Sequence, residues 1–397
     1  MFDSFSIPQL TETYWKMRRP PALKRLKTLP VGLDGLSCDK FEARISMHLS
    51  EVERKIKTHS YSFAPLLELE RSKSNGGVRR LYIPRLRDQI VLRVLHDAIL
   101  ATAENNGIVL HQKTPYEVVR KFDAAAQKIK TPWIVRTDIT SFYDSIPRGA
   151  LLAIFDTLNP DPIISNLLHS WSEQLKSRKG FTIGKEAETP LLGLPQGLSI
   201  SAPLSELWAK QIDKEYANQT HYFRYVDDIT LVCASKEEAD AEFEKLNQII
   251  KRLQLQLSPT KTHISPLSEG VEWLGMKHYG VRKELDVIKV KNWLKPFLKL
   301  KRDTITSLGV TTETDLKKAV VVDYVKKIEA QINGKYANRI RWYALGEDYG
   351  QWKYADKLIH EMIRSVCRNA RVEVGALKQL PSVHASIYKY KKIKGVT

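Results

Sequence analysis

The chain has 397 residues, 43% of them hydrophobic and 9% aromatic, with a formal net charge of +18. That length is enough for two or three cores, and that composition excludes a disordered chain. Three scattered cysteines, Cys38, Cys233 and Cys367, exclude a disulfide framework or a zinc cluster and fit a reducing, cytoplasmic compartment; no apolar run approaches a membrane span, and the N-terminus lacks a signal-peptide layout.

Residues 12–27 carry Lys16, Arg18, Arg19, Lys24, Arg25 and Lys27, interleaved with Tyr14, Trp15 and a Pro20-Pro21 break. Aromatics among cations suit stacking on single-stranded bases, and a solvated basic arm would look the same. Over 38–60 the spacing of Phe41, Ile45, Leu49, Val52 and Ile56 predicts a single helix. Leu66 to Glu70 and Val78 to Ile83 predict a hairpin, because Asn75-Gly76 between them is a turn signal. Its second strand holds Arg79 and Arg80, whose guanidinium forks match phosphate; the same charges would also guard an exposed edge strand. From Leu86 to Ala103, Ile90, Val94, Leu95, Ala98 and Ile99 return to helical spacing.

Trp133 to Ile139 predicts a short strand with Asp138 at its end, and Pro147 opens a helix through Phe155. An aspartate at a strand end either caps a turn or projects into a site. Gly193-Leu194-Pro195-Gln196-Gly197 is a tight loop that lets backbone approach a ligand, with a helix through Tyr216 behind it. His221 to Cys233 predicts two aromatic and β-branched strands with Val226-Asp227-Asp228-Ile229 at the tip. Adjacent aspartates repel; they suit either a solvated turn or a hard divalent cation such as Mg²⁺. Ser235-x-x-Glu238 is a capping box opening an amphipathic helix, followed by a short strand Leu255 to Leu257, by Pro259-Thr260-Lys261-Thr262 and by one hairpin arm, Val271 to Met276.

Residues 133–257 thus run strand, helix, helix, hairpin, helix, strand, the split βαβ order. In that order the first strand and the hairpin are sheet neighbours, which sets Asp138 beside Asp227 and Asp228. Three carboxylates from two strands can hold two Mg²⁺ ions for phosphoryl transfer, with an activated hydroxyl attacking and pyrophosphate leaving. Lys261 could serve as the general acid for that pyrophosphate, or be a surface lysine.

Beyond 280 basic residues are dense. Residues 280–397 carry a surplus of 13 positive charges and residues 1–27 a surplus of 4, which leaves the middle near neutral at +1. Two basic ends around a neutral centre form the footprint of a nucleic-acid channel, or a solubilising surface. Leu316, Val320, Tyr324 and Ile328 form one helical stripe, ending at Asn333-Gly334; Trp352, Ala355, Ile359, Met362 and Val366 form another. Trp293 and Phe297 are expected in the core, and Lys389, Lys391, Lys392 and Lys394 in a basic tail.

These motifs, in this order, resemble those of a bacterial reverse transcriptase, an RNA-directed DNA polymerase. RRLYIP (79–84) is similar to the family's fingers segment and VRTDITSFYDSI (135–146) to its first palm motif. GLPQGLSISAPLSEL (193–207) is similar to the second, RYVDDITLV (224–232) to the tyrosine-x-Asp-Asp box, and SPTKTHIS (258–265) with EWLGM (272–276) to the lysine motif and primer grip. The resemblance implies an α+β fold: a right-hand polymerase with fingers, a split βαβ (ferredoxin-like) palm and a helical thumb. It divides the chain into an N-terminal basic arm and helical segment (1–60), fingers (61–132), palm (133–279) and basic thumb with tail (280–397).

The resemblance also implies roles. Asp138, Asp227 and Asp228, with the Ile139 carbonyl, would bind two Mg²⁺ ions, with Mn²⁺ as the alternative, and Lys261 would assist. Tyr143, with Phe142 beside it, matches the steric gate that selects deoxynucleoside triphosphates, Gln196 and Gly197 would line the nucleotide pocket, and Arg79 and Arg80 would meet the triphosphate. Val226 stands where many bacterial relatives have alanine, Gly197 is followed by Leu198-Ser199-Ile200-Ser201-Ala202-Pro203 where intron and retron enzymes commonly place Ser-Pro sooner, and no Val-Thr-Gly triplet occurs in the thumb segment. No endonuclease, zinc-bearing or ribonuclease H segment is recognisable. The expectation is therefore a compact enzyme resembling the defence-associated and retron-like group, copying a structured non-coding RNA into DNA in antiphage defence. An accessory protein or a second copy of the chain would be further partners, and no membrane is involved. Tyr14, Tyr388 and Tyr390 are candidate protein primers. Template-independent or protein-templated synthesis, RNA polymerisation and a non-catalytic RNA-binding scaffold are the competing functions.

Overall fold

The computed structural model describes residues 2–19, 26–72, 77–110, 114–179, 188–217, 219–280, 282–285, 287–333, 349–373 and 381. It begins with a helix where a basic arm was expected. Helix α1 (Ile7–Arg18) turns Leu10, Thr13, Tyr14 and Arg18 inward. The predicted 38–60 helix is two: α2 (Cys38–Glu42), capped by Ser37, and α3 (Ile45–Lys57), separated by a turn at Ala43-Arg44. The turn lets Glu42 answer α1. Arg18 Nε donates to Glu42 Oε1 at 2.6 Å and the Tyr14 hydroxyl donates to the same oxygen. Burial pushes the Glu42 carboxyl upward, and the two donors outweigh it and hold it below the usual carboxylate range. Tyr14, at 0% exposure and hydrogen-bonded, is therefore no accessible primer hydroxyl, and Arg18 is no free phosphate contact. Tyr388, Tyr390 and the basic tail lie outside the described residues, as do Lys24 and Arg25.

Strands β1 (Leu66–Ser72) and β2 (Val78–Ile83) pair antiparallel, as the hairpin pattern predicts; the turn residues Lys73 to Gly76 lie outside the described residues. Helix α4 (Leu86–Asn105) follows and, with α3, carries α1. It buries Asp88, whose carboxylate accepts from the Tyr61 hydroxyl (2.6 Å) and the Ala64 N–H (3.1 Å). Burial raises the Asp88 pKa from 3.8 to about 6, against those two hydrogen bonds. The folded state thus holds the proton more tightly than the unfolded state. The stability Asp88 contributes is fully present below about pH 4 and is lost as pH rises through about 6. Between about pH 4 and pH 8 the wild type is expected to lose about 2 kcal/mol relative to Asp88→Asn. Parallel urea titrations of both proteins would check it; identical pH dependence would refute the assignment.

Helix α5 (Pro115–Ala126) opens on a capping box between Thr114 and Glu117. Strand β3 (Trp133–Asp138) leads through a single turn, α6 (Phe142–Ser145), into α7 (Arg148–Leu158), whose N-cap is Pro147. Helix α8 (Pro162–Glu173) and strands β4 (Lys176–Lys179) and β5 (Thr189–Pro190) then complete a four-stranded sheet in the order β2-β1-β4-β5, with β1 and β4 parallel. Helix α9 (Ser201–Glu215) precedes the hairpin β6 (Tyr222–Tyr225) and β7 (Asp228–Cys233), and α10 (Lys236–Arg252) follows it. The Ser235 hydroxyl caps α10 by accepting from the Glu238 N–H at 3.2 Å.

The fourth strand of the central sheet differs from the expectation. Leu257 makes only an isolated bridge to Ile139; the strand is β8 (His263–Pro266), paired antiparallel with β3. The sheet order β6-β7-β3-β8 is that of a split βαβ unit. Beyond it, β9 (Val271–Trp273), β10 (Met276–Tyr279) and β11 (Arg282–Leu285) form a three-stranded antiparallel sheet. Helices α11 (Val287–Gly309), α12 (Thr314–Asn333) and α13 (Tyr349–Ala370) pack on one another around Phe297, Tyr324, Ile328, Ile359 and Val366. The stripe predicted for α12 holds from Val320 onward, but Leu316 is 53% exposed, because it lies in the first turn, before the helix reaches its partners. No helix among the described residues is long and apolar enough to cross a membrane.

The chain forms two compact units, each assembled from three segments. The first comprises residues 1–112, 138–219 and 244–260, and the second residues 113–137, 220–243 and 261–397. In the second, α5 packs on β6 and β7 over a core of Phe122, Ile134, Phe223, Val232 and Trp273. Phe122 meets the Trp273 ring at 5.2 Å and the Phe223 ring at 5.9 Å. The aromatic hairpin residue Phe223 therefore serves to hold β6 in place.

Candidate active site

The two aspartates of the hairpin sit where the chain reverses with two residues, Val226 and Asp227, between paired Tyr225 and Asp228. Such a reversal needs a positive φ at its first central residue, and Val226 has φ 59°. For a β-branched residue this left-handed conformation costs on the order of 1–2 kcal/mol. Strain of this kind persists where the surroundings impose it. Arg224 supplies part of that constraint, donating from Nη1 to the Val226 carbonyl at 3.0 Å. Asp228, the first residue of β7, accepts from Arg136 Nη2 at 3.4 Å, with the two side chains 17% and 19% exposed. Neither arginine was singled out in the sequence. Arg136 was discernible there: on a strand it shares a face with Asp138, two residues on.

Asp138 ends β3, and β3 is the sheet neighbour of β7, which begins at Asp228. Its side chain is nearly buried, at 9% exposure. Its carbonyl accepts from the Ser258 N–H, and the Thr140 N–H donates to the Gln256 carbonyl, both at 2.8 Å. These two bonds make the Ile139–Leu257 bridge without using the Ile139 carbonyl. Lys261 is exposed in a short 3₁₀ turn, Pro259–Lys261, just before β8.

Among the described residues no cluster of three or more His, Cys, Asp or Glu side chains is arranged to hold a metal ion by itself. The oxygen-only donors and the desolvated carboxylates Asp138 and Asp228 nevertheless fit a hard cation. Mg²⁺ takes one or two carboxylates together with water and substrate phosphates rather than an all-protein cage. The Arg136 guanidinium beside Asp228 already gives this partly buried carboxylate one positive neighbour, as a carboxylate withdrawn from water requires.

The loop before α9 is fixed by backbone contacts in its own unit. The Leu194 N–H donates to the Tyr143 carbonyl at 2.7 Å, the Tyr82 N–H to the Gln196 carbonyl at 2.8 Å, and the Ser201 hydroxyl to the Pro195 carbonyl at 2.6 Å. Gly197 has φ 111°, and a Cβ there would come within 2.9 Å of the Tyr82 carbonyl oxygen. Tyr143 is half-buried, with the Phe142 ring edge-on at 5.8 Å. Phe142 itself is 3% exposed, so it supports its neighbour and offers no open face to a substrate. Arg79 and Arg80 lie on opposite faces of β2, and both are exposed. Arg80 is answered by Glu68 at 3.4 Å and Glu70 at 3.8 Å. Among the described residues no carboxylate answers Arg79 in this way.

Residues 71–278 match the profile of the family described as reverse transcriptase (RNA-dependent DNA polymerase). The chain belongs to that family. This reverse transcriptase is a nucleotidyltransferase with an α+β fold. It is 23% identical over 297 residues to Protein YkfC of Escherichia coli (strain K12), covering 64% of this chain and 76% of that protein. It is 24% identical over 220 residues to an uncharacterized 91 kDa protein in the cob intron of Schizosaccharomyces pombe, covering 53% of this chain but 25% of that protein. Among solved structures, telomerase from Candida albicans in complex with a TWJ fragment of telomeric RNA aligns over 85% of this chain and 67% of that chain, at 12% identity and a TM-score of 0.46.

Proposed function

We propose that this reverse transcriptase synthesises DNA from deoxynucleoside triphosphates with two Mg²⁺ ions held by Asp138, Asp227 and Asp228, and with the Ile139 carbonyl as a further ligand. The observation that carries the reading is the sheet order β6-β7-β3-β8, with Asp228 opening β7 and Asp138 closing β3. Bound there, the ions would activate the primer hydroxyl and neutralise the pyrophosphate. The chain's own residues bind and orient. Arg136 and Arg224 keep the aspartate turn in place, Tyr143 and Gln196 shape the sugar pocket, Arg79 meets the triphosphate with Arg80 behind it, and Lys261 protonates the leaving pyrophosphate. The template is a structured non-coding RNA, and the role is antiphage defence in the cytoplasm.

The reading is tested on full-length protein purified with its bound nucleic acid. Mg²⁺ and labelled deoxynucleotides are added with and without ribonuclease pretreatment, and product and copurified RNA are sequenced. A DNA product complementary to one RNA and lost on ribonuclease treatment is expected. A product with no RNA complement that survives the treatment would replace this reading with untemplated or protein-templated synthesis. The gate has its own prediction. Tyr143→Ala is expected to raise ribonucleotide incorporation relative to deoxynucleotide by about 100-fold, the scale of a lost steric exclusion. Competition between dTTP and UTP on poly(rA)·oligo(dT) measures it, and an unchanged ratio would remove Tyr143 from the gate.

A further inference from the structure

Arg148 has an unusual environment for a cation. It stands at the start of α7, half-buried, and no carboxylate faces it among the described residues. Its guanidinium instead donates from Nη1 to the Leu191 carbonyl at 2.6 Å and to the Gly193 carbonyl at 2.8 Å, and from Nε to the Ser172 hydroxyl at 3.2 Å. Withdrawing a charge from water against neutral oxygens is costly, and burial lowers the affinity of this guanidinium for its proton. An apolar side chain would fill the same volume more cheaply, so the fork must serve a geometric need.

The need is apparent on the other side of the same segment. The Leu194 N–H donates to the Tyr143 carbonyl, and Gly193 lies so close that a Cβ there would be 2.2 Å from the Tyr143 carbonyl oxygen and 2.4 Å from the Asp144 carbonyl carbon. Residues 191–194 are therefore clamped between the Arg148 fork and the backbone of Tyr143 and Asp144. Arg148 and Tyr143 lie five residues apart, across the α6 turn and Pro147. The fork thus closes a small rigid ring: Tyr143, α6, Arg148, then Gly193-Leu194 back to Tyr143. Gln196 leaves that ring two residues later, pinned by Tyr82.

We propose that Arg148 is a positioning residue that sets the Tyr143 ring and the Gln196 loop, and thereby the enzyme's discrimination between deoxy- and ribonucleotides. The inference rests on the gate reading of Tyr143. Arg148 touches no substrate; it acts through the backbone it holds. A displacement of about 1 Å at a reacting group costs on the order of 100-fold, so loosening this ring should be visible in kinetics.

The test uses the full chain with poly(rA)·oligo(dT), dTTP and UTP. Arg148→Ala is expected to raise the KM for dTTP about tenfold with kcat nearly kept, and to lower the dTTP-over-UTP ratio of kcat/KM about tenfold. Arg148→Lys, which keeps charge but not the planar fork, should recover part of both. In the Tyr143→Ala background, Arg148→Ala should lower the ratio little further, because the two act on one feature. A folded Arg148→Ala with wild-type KM and ratio, or effects that multiply in the double variant, would overturn the proposal. If Arg148→Ala does not fold, Arg148→Lys and Ser172→Ala carry the test, and wild-type ratios in both would overturn it. The two readings fail separately. A normal ratio in Arg148→Ala beside an altered one in Tyr143→Ala removes only the brace, whereas an unaltered ratio in Tyr143→Ala removes the gate and the brace with it.

Discussion

Asp227→Asn/Asp228→Asn is expected to lower DNA synthesis by about 1000-fold or more while leaving the protein folded. The amide keeps the size of each side chain and an oxygen acceptor but removes the charge that balances a cation and positions phosphate, and losses of that order follow when such a group is removed. The folding side can be argued from the site itself. Asp227 lies in the two-residue turn, and Asp228 meets Arg136 at 3.4 Å across a partly buried gap. Replacing that ion pair with a neutral hydrogen bond should cost no more than about 1–2 kcal/mol. The hairpin remains held by its own ladder and by Phe223 in the core. Incorporation of labelled deoxynucleotide, read beside the thermal midpoint, decides the matter. Activity within tenfold of wild type in a folded variant would sink the assignment of these carboxylates. Lost synthesis with unaltered cellular function would instead favour the non-catalytic scaffold.

Gly193→Ala is expected to cost stability of about 3 kcal/mol or more and to take nucleotide incorporation with it. Two effects add. Gly193 has φ 56°, where a Cβ carries a backbone penalty of roughly 1–2 kcal/mol, and the added carbon would meet the Tyr143 carbonyl oxygen at 2.2 Å. Each close neighbour is backbone and cannot swing aside, so α6 or the loop must move. Gly35 supplies the control. It has φ 65° and nothing within 4 Å of an added Cβ, so Gly35→Ala should cost only the backbone penalty, about 1 kcal/mol. Urea unfolding of the two variants side by side separates the contributions. Equal losses would mean that the close approach of Gly193 to Tyr143 carries no weight.

The elements that the sequence disclosed are those whose cause is local. Period-two and period-3.6 patterns placed β1, β2, β3, β6, β7, α4, α9 and α10, and the carboxylates fell at strand ends as the pattern implied. Helix α5 was also written locally, in Thr114-Pro115 and Glu117, and could have been read from that capping box. Misplaced elements share a different origin. The 38–60 helix breaks at Ala43-Arg44 where Glu42 answers Arg18 and Tyr14, residues more than twenty positions earlier. Leu255 to Leu257 has the composition of a strand, but β3 takes β8 as its ladder partner, and only Leu257 makes a bridge. Strand β4 is too polar to announce itself and exists because β1 offers it a parallel edge.

By itself the sequence determined the reverse transcriptase motifs, their order and the alternating hairpin that presents Asp227 and Asp228. Each depends on residue type and short spacing, which survive in one dimension. Tertiary structure decided which charges are available. It withdrew Tyr14 and Arg18 into a buried cluster, answered Arg80 with Glu68 and Glu70, set Arg136 against Asp228 and turned Arg148 onto the loop before Gln196. The physical reason is desolvation. A charged or polar group taken out of water must find a partner, that partner can lie anywhere along the chain, and only the folded chain shows which one it found.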